Sequence, residues 1–159
     1  MKIRSCAESF ARIAGAGMLC LCGGCAESKT IARRYLETAA AQARAGHCDQ
    51  AIGSYSLAVQ ASGSDENCRR QRVSDRDNSI EAWASCKAVL ADSYSGLARC
   101  YHDTGRPSPA IEQKKNDAAA CSELCAVATQ ANHAKLKRWC ANAAQALATL
   151  AEWEKAAGP

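Results

Sequence analysis

The chain lacks the residues that build most β-sheet or aromatic cores. Only 5% of its 159 residues are aromatic, with a single phenylalanine, and valine, isoleucine and threonine together number 15. This is too few β-branched residues for a sheet-based core. No glycine-rich phosphate loop and no motif pairing a nucleophile with a base is present. With a net charge of only +4, nothing favours nucleic-acid binding. We therefore predict a non-catalytic chain that uses no cofactor and binds no nucleic acid.

Alanine and cysteine are abundant instead. The chain has 35 alanines and 11 cysteines. Alanine-rich helices approach closely, but each alanine buries little apolar area at about 25 cal/mol per Å². Disulfides, typically about 2–4 kcal/mol each, compensate for a weak core in an oxidising compartment. The composition therefore predicts an all-α fold stapled by disulfides and exposed to an oxidising environment.

The N-terminal segment has the pattern of a secretory signal. Three basic residues precede an uncharged run at 13–22, and two glycines then lead to Cys25. Ten apolar residues reach only about 15 Å as a helix, half of a bilayer core of about 30 Å, so the run is too short to span a membrane. We predict that residues 1–24 are a cleaved signal peptide.

The end of this segment resembles a bacterial lipobox. In Leu21-Cys22-Gly-Gly-Cys25 two small residues precede a cysteine, although the leucine stands four positions before it and Cys22 occupies its usual place. The resemblance implies that Cys25 is lipidated, and Ala26 after it implies sorting to the outer membrane, facing the periplasm. The alternatives are plain secretion and a cytosolic N-terminal helix, which the paired glycines disfavour. The C-x-x-C spacing is also that of redox dithiols, but no βαβ pattern surrounds it.

The remaining chain shows helical periodicity interrupted by turn residues. Glycines at 46 and 105 and a proline pair after the second one are stop signals, and Asn132 is the best break in a long stretch without glycine or proline. We predict about five helices in antiparallel hairpins. The predicted organisation is a linker at 25–30 and a helical domain at 31–155 that includes an exposed charged loop at 63–78.

Two stretches share a further pattern. Each has a helix, a glycine turn and an Ala-Ile pair five residues after the glycine: Gly46 with Ala51-Ile52, and Gly105 with Ala110-Ile111. This resembles the tetratricopeptide repeat, a helical hairpin of about 34 residues. The second copy departs from that repeat, because Lys114 stands where an aromatic residue is expected and Asp117 where alanine is expected.

The resemblance implies a concave face, made chiefly by the first helix of each hairpin, that binds protein partners. By position, this face would include Arg33, Glu37, Arg99 and His102. The alternative is that these four side chains form a solvated polar surface. We predict a scaffold or adaptor of the cell envelope that binds partner proteins and is attached to the membrane through its lipid.

Seven cysteines remain after Cys25, so an odd one is left over. Two residues at equal distances on either side of a helix-hairpin turn face each other. We therefore pair the cysteines that are equally distant from the predicted turns near 104–107 and 130–132. Across these turns the predicted disulfides are Cys86–Cys125 and Cys121–Cys140. Cys48 opens one second helix and Cys100 lies near the end of the following first helix, so antiparallel packing predicts a third bond between them, which leaves Cys68 for an intermolecular bond.

A metal site is the alternative use of these sulfurs. Cys121 and Cys125 lie one helical turn apart, a spacing suited to copper(I), and His47-Cys48 could converge with Cys100 and His102. Zinc sites usually need pairs spaced C-x2-C, which are absent after Cys25. Copper binding and thiol redox chemistry are therefore the alternative functions.

Overall fold

The computed structural model describes residues 24–63, 68 and 78–158. Over these residues the fold is all-α, as predicted, without a β-strand. A short 3-10 helix, Ala134–Leu136, precedes the last α-helix. The α-helices are α1 (Gly24–Arg44), α2 (Cys48–Ser62), α3 (Asn78–Asp103), α4 (Pro107–Gln130) and α5 (Arg138–Ala157).

Successive helices form antiparallel hairpins. The pairs α1–α2, α3–α4 and α4–α5 pack against each other, and α3 also contacts α1 and α2. Gly46 and Gly105 have φ values of +80° and +72°, a left-handed conformation that glycine adopts without a Cβ penalty. The turn glycines predicted from the sequence are therefore confirmed. The central position of α3 gives both sides of the molecule a common wall.

The predicted break at Asn132 is also confirmed. Asn132 has a φ of +46°, and the backbone N–H of His133 closes the end of α4 by donating to the carbonyl of Ala128 at 2.9 Å. The connection is longer than predicted, because the 3-10 helix delays the start of α5 until Arg138. At the other end, α1 starts at Gly24 and so includes the segment 25–30 that was predicted to be a linker.

Alanine allows the helices to cross closely. Five alanines at hairpin contacts are completely buried, and a smaller apolar cluster around Tyr55 and Leu97 joins α1 and α2 to α3. A larger cluster around Trp83, Leu124 and Trp139 joins α3, α4 and α5. The small residues that the sequence pattern assigned to helix crossings are therefore buried, namely Ala39, Ala51, Ala58, Ala98 and Ala110.

The described residues contain two disulfides, and these differ from the predicted pairs. Cys68 bonds to Cys86 with a Cα–Cα distance of 5.6 Å, and Cys125 bonds to Cys140 at 4.6 Å. The predicted bonds Cys86–Cys125 and Cys121–Cys140 are therefore wrong. The longer connection between α4 and α5 shifts their register by one helical turn, so Cys125 rather than Cys121 faces Cys140.

Cys68 is the other correction. Its place in a charged segment without helical periodicity predicts an intermolecular bond. In the structure it is completely buried in the larger apolar cluster and bonded within the chain. Three other cysteines are free, namely Cys48, Cys100 and Cys121.

The predicted signal peptide lies outside the described residues, as does most of the charged loop. The side chain of the predicted lipidation site, Cys25, is likewise not described. Within the described ranges, none of the helices combines the length and apolar character needed to cross a membrane.

Candidate binding groove

Two clefts lie on either side of α3 and meet on it. Cleft A, about 310 Å³, lies between α1, α2 and α3. Cleft B, about 260 Å³, lies between α3, α4 and α5. Asp92, Ser95 and Arg99 line both clefts. We call the two clefts together the α3 groove.

The floor of cleft B contains a buried ion pair. Lys114 and Asp117 lie one turn apart on α4, are 9% and 4% exposed, and their Nζ and Oδ2 atoms are 2.8 Å apart. The Cys121 thiol donates to Asp117 Oδ1 at 3.4 Å. Asn142 and Gln145 of α5 line the opposite wall. Cleft B therefore presents charged and amide groups to a ligand rather than an apolar surface.

The Cys121 thiol is held in its protonated form. Burial raises its pKa to about 12, and the neighbouring Asp117 carboxylate adds to the rise. Only the thiolate is a strong nucleophile or metal ligand, so Cys121 is chemically inert at neutral pH. Cleft B thus holds a sulfur that does not supply covalent chemistry.

We expect this protonation to be visible in alkylation kinetics. In the native protein at about pH 8, Cys121 should react with iodoacetamide far more slowly than in the same chain unfolded in urea. Because the folded pKa exceeds the ordinary value of 9.0, the thiol stabilises the fold below pH 9 and this contribution is lost as pH rises towards 12. Quantitative mass spectrometry of Cys121 peptides checks the first point. Equal native and unfolded rates would contradict it.

Cleft A contains a close pair of thiols. The Sγ atoms of Cys48 and Cys100 are 2.6 Å apart, and both cysteines are free. Cys100 is buried, and burial together with its hydrogen bond to Cys48 raises its pKa to about 12. The ring of Tyr55 lies beside this pair, and burial raises the pKa of its hydroxyl. The structure therefore brings together the predicted partners Cys48 and Cys100 without a bond between them.

The predicted partner-binding residues are not one surface. Arg99 lines both clefts of the α3 groove. His102 instead stacks on Trp153, with ring centroids 4.5 Å apart and planes 11° apart, beside a separate apolar cleft of about 340 Å³. Arg33 and Glu37 are exposed on α1 but line none of these three clefts. Only Arg99 of the four is therefore placed in the groove.

The metal alternative loses its main ligand pair. Cys125 is bonded to Cys140, so it cannot join Cys121 in holding copper. Among the residues that the structure describes, no group of three or more His, Cys, Asp or Glu side chains is arranged to hold a metal ion.

The comparisons with known proteins give no assignment. No family model, curated protein or solved structure matches the chain. The sequence pattern did not predict the ion pair between Lys114 and Asp117, although both residues depart from the repeat pattern. Functional inference therefore depends on the groove itself.

Proposed function

We propose that the chain is a non-catalytic scaffold or adaptor that holds an extended polypeptide segment of a partner protein in the α3 groove. The observation that supports this most directly is the sharing of Asp92, Ser95 and Arg99 by both clefts. A ligand lying across α3 would contact these three side chains and both groove walls at once.

The chemistry of the groove suits a peptide backbone. Every non-proline peptide unit carries one hydrogen-bond donor and one acceptor. Asn142 and Gln145 offer both functions, Ser95 also does both, Arg99 donates and Asp92 accepts. Small-molecule pockets, in contrast, are mostly apolar with few polar groups.

The dimensions fit a short segment. Packed helix axes lie about 8–10 Å apart, and α5 packs on α4 rather than directly on α3, so a path from α1 over α3 to α5 is at least about 20 Å long. An extended chain advances about 3.3 Å per residue, and about six residues are the minimum that would cover this path. We therefore propose a linear segment of this length as the ligand.

The hairpins support a relation to tetratricopeptide repeats as part of the same proposal. Hairpins α1–α2 and α3–α4 have equivalent left-handed glycine turns at Gly46 and Gly105. The alanine five residues after each glycine, Ala51 or Ala110, is completely buried. We propose that the two hairpins are divergent copies of one unit.

We also propose that the protein works in the cell envelope, tethered through a lipid on Cys25. The basic start, the short apolar run and the lipobox-like ending support this, as do two disulfides, which persist in oxidising compartments. Globomycin-sensitive processing with acyl incorporation at Cys25 is the expected result. An unprocessed chain in the cytosol with reduced cysteines would contradict it.

Peptide selection tests the groove. We expect a library of displayed linear peptides to yield ligands for the groove. Their affinity should fall about tenfold or more with Arg99→Ala and with Asn142→Ala, because each substitution removes a side chain that hydrogen-bonds the peptide, and Arg99 is charged. Isothermal titration calorimetry of the selected peptides measures the loss.

Arg33→Ala is the matched control, because Arg33 is an exposed arginine outside the groove. It should leave affinity unchanged. Peptides that bind equally well to all three variants, or a library that yields no ligand, would refute the proposed groove function.

A further inference from the structure

We propose that Cys48 and Cys100 form a thiol–disulfide exchange site through which a disulfide donor fixes the α1–α2 hairpin to α3. Their Sγ atoms are 2.6 Å apart as free thiols, whereas Cys68–Cys86 and Cys125–Cys140 are bonded. This inference does not depend on peptide binding, because it concerns the attachment of the hairpin.

The two thiols differ in access. Both cysteines line cleft A, and Cys48, the first residue of α2, is only half-buried. Cys100 is completely buried near the end of α3. A donor in cleft A therefore reaches Cys48 first, and Cys100 reacts only with a sulfur that is already inside the protein. The raised pKa of Cys100 agrees with this order, since a protonated thiol is a weak nucleophile towards an external disulfide.

The exchange proceeds in two steps. The Cys48 thiol gives its proton to solvent, and the thiolate attacks one sulfur of the donor disulfide. The donor S–S bond breaks, a mixed disulfide forms on Cys48, and one donor thiol leaves. Cys100 then attacks Sγ of Cys48, the mixed disulfide bond breaks, and the displaced donor thiolate takes up the Cys100 proton and leaves as the second donor thiol. Two protein thiols are oxidised to a disulfide, and the donor disulfide is reduced to two thiols.

The position of the pair gives the bond a mechanical effect. Cys48 and Cys100 join the start of α2 to the end of α3, in the same cluster as Tyr55 and Leu97. The α1–α2 hairpin packs on the rest of the described chain chiefly through α3. A covalent link at this contact opposes local separation of the hairpin and keeps the walls of cleft A in place.

Glutathione redox buffers provide the test. The purified full chain, with its existing disulfides, is equilibrated at a series of ratios of reduced to oxidised glutathione, quenched with acid, and mapped by alkylation and mass spectrometry. We expect Cys48 and Cys100 to convert together between dithiol and disulfide while Cys68–Cys86 and Cys125–Cys140 stay oxidised. Hydrogen exchange of α1 and α2 amides should slow about tenfold on oxidation, and that of α5 should not change.

Variants resolve the order of the steps. In Cys100→Ser, Cys48 should accumulate as a glutathione mixed disulfide, whereas in Cys48→Ser the thiol of Cys100 should stay unmodified. Cys121→Ser is the control and should behave as the parent chain, because Cys121 lies in cleft B. The proposal is overturned if Cys48 and Cys100 stay reduced at every ratio in the parent chain, if all three pairs titrate together, or if Cys100 alone takes up glutathione. The parent titration needs no substitution, so a variant that fails to fold leaves the test intact.

Discussion

Replacing Asp117 with leucine is expected to lower the free energy of unfolding by about 3–5 kcal/mol, because it leaves the Lys114 ammonium buried without its carboxylate. The lysine is only 9% exposed, and its Nζ lies 2.8 Å from Asp117 Oδ2. Asp117→Leu also removes the acceptor of the Cys121 thiol. Urea unfolding of the oxidised protein, followed by circular dichroism, measures the loss.

The double variant Lys114→Met/Asp117→Leu separates charge from shape. It removes both charges together and should recover most of the lost stability, since a buried ion pair is often no more stable than well-packed apolar residues. The neighbouring pair Lys115–Glu154 is the matched control. Its Nζ–Oε1 distance is 2.9 Å with both side chains exposed, so Glu154→Ala should cost less than about 1 kcal/mol. Equal losses for Asp117→Leu and Glu154→Ala would contradict the role of burial.

The second large effect is expected from a single methyl group at Gly96. A Cβ at this position would overlap three atoms of the Tyr55 ring. Tyr55 is buried in the cluster that joins α2 to α3, so its ring can give way only by swinging out of that cluster towards cleft A. Gly96→Ala should therefore destabilise the protein by about 1–3 kcal/mol through overpacking, although alanine is the better helix former. Thermal and urea unfolding report the change.

Gly53 supplies the matched comparison within the same protein. It also lies inside a helix, but nothing comes within 4 Å of an added Cβ. Gly53→Ala should raise stability by about 0.5–1 kcal/mol. Opposite signs for the two substitutions are the expected result. If Gly96→Ala is as stabilising as Gly53→Ala, the close approach of α2 and α3 at Tyr55 is wrong.

The sequence contains most of the helical architecture. Turn residues are decisive here, because a left-handed backbone favours glycine or asparagine whatever the tertiary contacts. Gly46, Gly105 and Asn132 were recognisable for this reason. The additional 3-10 turn after Asn132 was not recognisable, since Ala134–Leu136 and the start of α5 have the same helical periodicity.

The disulfide connectivity could not be predicted from the sequence. Pairing across a hairpin depends on the number of residues in the turn, and an error of a few residues moves each partner by one helical turn. Cys121 and Cys125 lie one helical turn apart, so the register of α4 against α5 determines which of them bonds to Cys140. Cys68 could not be placed at all, because a cysteine in a polar segment has no periodicity that indicates its burial.

The ion pair of cleft B had a signal in the sequence. Lys114 and Asp117 occupy positions where the repeat pattern expects core residues, and a charge at a core position implies either a partner or a functional cavity. Their spacing of three residues places them on one helix face. The contact between Lys114 and Asp117 could therefore have been predicted from the sequence. The cleft above them could not, because it depends on where α5 lies relative to α3.

The free thiol of Cys121 bears on how long the native disulfides persist. A free thiolate beside disulfides drives isomerisation, because it can attack any sulfur it reaches. In the folded state Cys121 is buried and its pKa is raised to about 12, so at neutral pH its thiol stays protonated and does not start disulfide exchange. In the unfolded chain this protection is absent. The packing around Cys121 therefore keeps this thiol from exchanging with the native disulfides.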